Sequence, residues 1–310
     1  MARSAPGPGS RDSATPGTAG AADEPLLGAG LLARLERLQL STRRPLAGLY
    51  AGGHRSPRRG TSLDFAEHRE YHPGDDFRRI DYHALARLGV LVLKLFDAED
   101  DLPVRLVVDT SASMGFDGKL RAACRLAAVL GFVGLVRRDP VRVQTLDRSR
   151  PPARFSGRGD AARLFDHLGA LTAAGTTDLA GLGPDLRARR GAPGLTALVS
   201  DLFSPQWPAA LTALPPAGGD LVVVHVLAPG ELEPVGLAGD ADLVDSESGE
   251  RVAVSLSGEQ LQRYREAMSA WRADVAQSCS RAGVAYCPVV VGEALEPLLF
   301  GAWQRAGIVR

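Results

Sequence analysis

From residue 104 onward, the apolar positions fall into short, branched runs separated by longer stretches of helical period. Val104–Val108, Leu195–Ser200, Leu221–Leu227 and Val284–Val291 have the length and largely apolar composition of buried parallel strands, and Val141–Leu146 reads as a strand among them. Between them, Lys119–Arg137, Asp160–Leu171, Leu179–Arg190, a short piece around Pro208–Leu214, and Gly258–Ala282 read as helices. Strand and helix alternate, which predicts an α/β fold with a doubly wound, mostly parallel sheet. A weaker extended piece, Pro152–Phe155, and a hairpin over Asp242–Val254 with its turn at Ser246–Gly249 complete the pattern. Gly292–Arg310 reads as a short helical tail.

The texture before residue 104 is different. Met1 to about Asp23 is rich in Pro, Gly, Ala and Ser, which predicts disorder. Leu31–Leu40 sets Leu31, Leu32, Leu35 and Leu38 at helical spacing. Gly48–Asp101 is densely charged and interrupted by glycine, and only Leu91–Phe96 there has the pattern of a strand. The chain therefore divides into a disordered tail (1–25), a helix with a charged block (26–102) and an α/β domain (103–310).

Composition narrows the classes of function. At 310 residues the chain can bury a sizeable core. Its 36 basic and 36 acidic residues balance, so no general attraction to nucleic acid or anionic membrane is expected. No run approaches the ~18 apolar residues of a membrane span, and the N-terminus lacks the apolar core of a secretory signal. Cys124, Cys279 and Cys287 are odd in number and scattered, unlike a disulfide framework or zinc site. The expected compartment is the cytoplasm.

Chemistry concentrates at the end of the first strand of the alternating region. Pro103–Met114 reads PVRLVVDTSASM, with Asp109, Ser111 and Ser113 at every second position. A carboxylate at the carboxyl edge of a parallel sheet stands where open α/β folds bind ligands. Joined by two hydroxyls, it suits a hard, oxygen-seeking cation such as Mg²⁺, which keeps several waters and takes few protein ligands. Taken alone, the same serines also suit turns or a helix cap. Two further segments bear on the choice: Gly175-Thr176-Thr177-Asp178, a polar turn, and Asp201, which closes the apolar run Leu195–Ser200.

Strand–DxSxS, loop–Thr, strand–Asp resembles, in order and spacing, the metal-ion-dependent adhesion site of von Willebrand factor A domains. The resemblance implies Ser111, Ser113 and Thr177 as hydroxyl ligands of Mg²⁺ (or Mn²⁺). Asp109 and Asp201 would hold the ion directly or through water.

The charged block carries a second resemblance. Ser56–Arg87 reads SPRRGTSLDFAEHREYHPGDDFRRIDYHALAR. By composition it is an exposed or mutually paired lattice, and surface pairs contribute little, ~0–1 kcal/mol each. As a string, the RRG after Ser56, Asp64-Phe65, Arg69-x-Tyr71, Pro-Gly-Asp-Asp, Arg79-Ile80-Asp81-Tyr82 and Ala86-Arg87 are similar to the DUF-fifty-eight family, whose members place this signature ahead of a von Willebrand A-like domain. Tyr82 stands where the family usually has tryptophan. The membrane helices of many larger relatives are missing. The family resemblance implies a metal-dependent protein-binding module without a reaction of its own. It would work with a MoxR-type AAA+ ATPase, or that ATPase's client, in assembling or remodelling protein complexes. The alternative is a metal-free interaction domain in which arginines of the charged block make the contacts. Independently of that choice, Tyr71, Asp75, Asp76, Arg79 and Asp81 are expected to form a satisfied network that docks this block onto the α/β domain.

Other constellations are weaker. A phosphotransferase or hydrolase of the haloacid-dehalogenase type needs an acid/base carboxylate two residues after the nucleophile, and that position is Ser111. No serine sits in a GxSxG elbow. Gly115–Lys119 lacks the glycine spacing and following hydroxyl of a phosphate loop. Arg158-Gly159-Asp160 reads as a helix-start turn. His54, His68, His72 and His83 share no ligand spacing, and His167 and His225 read as packing residues. Trp207, Trp271 and Trp303 read as helix anchors on the sheet.

Overall fold

The computed structural model describes residues 25–40, 65–71, 80–96, 102–146, 151–179, 194–213, 219–234 and 239–310. Helix α1 (Ala29–Leu35) opens the described chain. It stops at Leu35, short of the expected Leu40, because the following residues are taken up in extended pairing. Gln39 exchanges two backbone hydrogen bonds of 2.9 Å with Arg310, and Leu40 bridges Val309. Leu26, Leu27, Leu31, Leu35, Leu38 and Leu40 join the same apolar cluster as the main sheet.

Within the charged block, β1 (Phe65–Glu70) pairs antiparallel with β2 (Val92–Phe96). Helix α2 (Tyr82–Leu88) lies between them in sequence. The sequence pattern reveals β2 but neither β1, most of whose residues are polar, nor α2, which at 7 residues is too short for a periodic signal. Asp81 starts α2 as its N-cap, accepting from the amides of His83 (3.0 Å) and Ala84 (3.2 Å). Gly89, in left-handed backbone at φ 68°, ends it. Tyr71 is half-buried, and its amide donates to the Leu91 carbonyl. Asp75, Asp76 and Arg79 lie outside the described residues.

The central sheet has six strands: β3 (Val104–Val108), β4 (Val141–Thr145), β5 (Ala153–Phe155), β6 (Leu195–Ser200), β7 (Asp220–Leu227) and β10 (Ala285–Val290). Their spatial order is β10-β7-β6-β3-β4-β5. All neighbours are parallel except β5, which runs antiparallel to β4 at the edge. This bears out a mixed α/β architecture on a mostly parallel sheet. The hairpin β8 (Gly239–Val244) and β9 (Arg251–Leu256) forms a separate two-stranded sheet.

Alternation along the inner strands sends side chains to two faces. Leu106, Val108, Ala197, Val199, Val224 and Val226 join one cluster with helix α3 (Lys119–Val136). Val107, Leu198 and Val223 join a second with Trp207, Leu211, Val275 and Cys279, from the helices Trp207–Ala213 and Gly258–Ala282. Burial on both faces explains why these strands are largely apolar. Helix α4 (Ala161–Gly169) covers α3 with Leu164 and Leu168. The turn Arg158–Asp160 leads into α4, where Asp160 accepts from the Ser156 amide and the Arg163 guanidinium, so Arg158-Gly159-Asp160 is indeed a helix-start turn. α3 lies close to the sheet: a Cβ at Gly131 would stand 2.6 Å from Leu164 Cδ2 and 3.1 Å from Leu106 Cδ1. All but the first residue of the predicted helix Leu179–Arg190 falls outside the described residues. Among the described residues no helix is long and apolar enough to cross a membrane.

Candidate functional site at the carboxyl edge of the sheet

β3, β6 and β7 are parallel neighbours, so the loops leaving their carboxyl ends share one edge. Asp109, Ser111 and Ser113 leave β3, Ser200 and Asp201 end β6, and Glu231 follows β7 on the short helix Pro229–Leu232. The loop carrying Thr177 is tied to the first of these. Ala174 donates its amide to the Thr110 carbonyl at 2.8 Å, and Ala112 donates to the Gly175 carbonyl at 2.9 Å.

Asp109 is fully buried. Its Oδ1 accepts from the Ser111 amide at 3.0 Å, and its Oδ2 accepts from the Ser200 hydroxyl at 2.6 Å. Burial pushes its carboxyl above the ordinary range, and those two hydrogen bonds oppose the shift. The Ser111 and Ser113 hydroxyl oxygens stand 3.0 Å apart. Ser113 donates to Asp201 Oδ2 at 2.8 Å, while Asp201 Oδ1 accepts from the Phe203 amide at 3.1 Å. Four of the five expected site residues are thus joined in one group. Thr177 engages a different partner: its hydroxyl donates to Glu247 Oε1 at 2.9 Å and its amide to Glu247 Oε2 at 3.3 Å.

Sequence reasoning missed the group's cation. Lys119, the first residue of α3, has no exposed surface, and its ammonium donates to Asp201 Oδ2 at 2.7 Å and to Glu231 Oε1 at 2.5 Å. It also lies 5.1 Å from the centre of the Phe203 ring, a cation–π distance. Glu231 accepts the Ala228 amide as well, and burial raises its carboxyl against the opposing pull of Lys119. A lysine opening a helix opposes the helix dipole, and that anomaly was the available signal. His225, in β7, is also missed as a site neighbour. It is buried, with Nε2 2.9 Å from the Asp201 carbonyl oxygen and Nδ1 2.8 Å from the Tyr286 hydroxyl, and burial lowers its pKa to about 4. Trp271 stacks on Phe203 and meets His225 edge-on. Asp117 (φ 46°) and Leu202 (φ 56°), beside these loops, hold left-handed backbone that non-glycine residues rarely adopt.

The donor set suits a hard cation in kind and spacing. Adjacent ligands of an octahedral Mg²⁺ at ~2.1 Å stand about 3.0 Å apart. The Ser111–Ser113 and Ser113–Asp201 oxygen separations of 3.0 and 2.8 Å fit that edge, as they also fit the hydrogen bonds present here. Among the described residues no three His, Cys, Asp or Glu side chains gather to hold a metal, so any ion here would depend on the hydroxyls.

The family model described as "Protein of unknown function DUF58" matches residues 67–274, from β1 through the central strands and into the helix Gly258–Ala282. Uncharacterized proteins of Mycobacterium tuberculosis (strain H37Rv) and Mycobacterium bovis are each 30% identical to the chain over 264 residues, covering 82% of this chain and 82% of the relative. The match takes in the charged block from residue 67 onward together with the site loops, and the chain belongs to the DUF58 family.

Proposed function

We propose that this chain is a metal-ion-dependent protein-binding module of the von Willebrand A type, with no reaction of its own. The observation that carries the reading is the junction of Ser111, Ser113 and Asp201 through 3.0 and 2.8 Å contacts, with buried Asp109 joined to the same loop. Ser111, Ser113 and Thr177 would offer hydroxyl oxygens, and Asp109 and Asp201 would supply the negative charge that holds Mg²⁺ or Mn²⁺. Bound there, the ion supplies an open coordination position for a carboxylate of a partner protein. The chain's own residues prepare that place. Ser200 and the Ser111 amide fix Asp109, while Phe203 and Lys119 fix Asp201. The partner suggested by the family resemblance is a MoxR-type AAA+ ATPase or its client, met in the cytoplasm during assembly or remodelling of a complex.

The buried ammonium favours a second, metal-free reading. Lys119 already balances one carboxylate of the group, so a partner could bind beside it with no ion, through polar contacts that include the charged block. Capture of a MoxR-type ATPase in Mg²⁺ and in EDTA separates the two. Under the metal-dependent reading capture is lost in EDTA and in Ser113→Ala, a neutral change that deletes one hydroxyl. Equal capture in all cases rejects it.

A further inference from the structure

The carboxylate on Thr177 comes from the chain itself, 70 residues away, at the tip of the β8–β9 hairpin. This tip is held by hydrogen bonds of its own. Asp245 Oδ1 accepts from the amides of Glu247 (2.8 Å) and Ser248 (2.7 Å), Asp245 donates its own amide to the Glu250 carbonyl, and Gly249 holds φ 73°. Among residues 242–250, Glu247 alone is not exposed. The rest of the arm gains little from burial. It pairs with no strand of the central sheet, and Leu243, Val244 and Val252 are 44–52% exposed. A weakly packed arm thus ends in a rigid turn whose one withdrawn side chain is a carboxylate. Its two oxygens grip both the hydroxyl and the amide of one threonine.

We infer that Glu247 is an internal ligand: the hairpin places the chain's own carboxylate where a partner's would enter, and the partner must displace it. This rests on the metal-dependent reading of the site. Because the tether keeps Glu247 at an effective concentration on the order of millimolar, a lone aspartate or glutamate on a dilute partner cannot compete. A successful partner brings a carboxylate together with a surface that takes up the released hairpin, whose exposed Leu243, Val244 and Val252 offer apolar area. The site thereby selects for an extended acidic protein surface over a free acidic peptide.

Calorimetric titration of Mg²⁺ into the wild type, Glu247→Ala and Glu250→Gln, each with and without excess acetate, tests this. Glu247→Ala should bind Mg²⁺ about tenfold more weakly, acetate should restore most of that loss, and Glu250→Gln should match the wild type. Equal affinity of the wild type and Glu247→Ala overturns the internal ligand while leaving the metal site standing. A loss shared by Glu250→Gln and unrelieved by acetate is bulk charge and overturns it too. Absence of Mg²⁺ binding by the wild type removes the metal-dependent reading and the internal ligand with it.

Discussion

Lys119 Nζ lies 2.7 Å from Asp201 Oδ2, and neither side chain has more than 1% of its surface exposed. A charge pair this dry survives through its additional hydrogen bonds, here from Ser113 and the Phe203 amide to Asp201 and from Lys119 to Glu231. Lys119→Met should therefore destabilise the fold by about 3–5 kcal/mol, since it strands a buried carboxylate. Denaturant titration measures the loss, and adding Glu231→Gln to Lys119→Met should recover part of it.

Divalent ion should act in the opposite direction. Mg²⁺ at ~100 times its dissociation constant would add about 2.7 kcal/mol by mass action. Thermal melts in Mg²⁺ and in EDTA should separate for the wild type and coincide for Asp109→Ala.

His225 gives the acid limb of the stability curve its sign. Burial lowers its folded pKa to about 4 from an ordinary 6.5, so the unfolded chain takes up the proton first. The neutral ring costs nothing above pH 6.5, and stability falls as pH drops from 6.5 to about 4. The contribution lost is about 3 kcal/mol. Asp109, raised by burial, runs the other way, so the measurement is the difference between the wild type and His225→Gln. The variant's denaturation midpoint should depend less on pH across that window.

Asp81 is an N-cap, and loss of that cap in Asp81→Ala should cost about 1 kcal/mol. Urea titration of Asp81→Ala and Asp81→Asn tests this, and asparagine, which also caps, should retain most of the stability.

How much of this was legible in the sequence depended on whether the signals were local. β3, β6 and the helix Gly258–Ala282 match their predicted bounds to the residue. That helix announces both ends, with Ser257 and Gln260 forming a capping box and Gly283 closing it at φ 69°. Asp109 and Asp201 were legible as neighbours because both end apolar strands of one parallel sheet. Ser200 was not, because a hydroxyl one residue before a carboxylate gives no sign that it will reach across to Asp109. Glu247 was invisible for a different reason. Its turn is readable, but where a hairpin's tip comes to rest depends on tertiary packing. The tail of α1 misled because leucines at 35 and 38 keep helical spacing while the backbone has already turned to pair with the C-terminal residues.

The close approach at Gly131 has a mechanical meaning. Lys119 and Gly131 stand on the same helix, roughly 18 Å apart along its axis at 1.5 Å per residue. Gly131 is a fulcrum pressed between Leu106 on the sheet and Leu164 above it, and the helix is a lever whose far tip is the ammonium. A methyl group at the fulcrum would stand 2.6 Å from Leu164 Cδ2 and 3.1 Å from Leu106 Cδ1, so those leucine tips must shift to admit it, and whatever they do not yield falls on the helix that carries the ammonium.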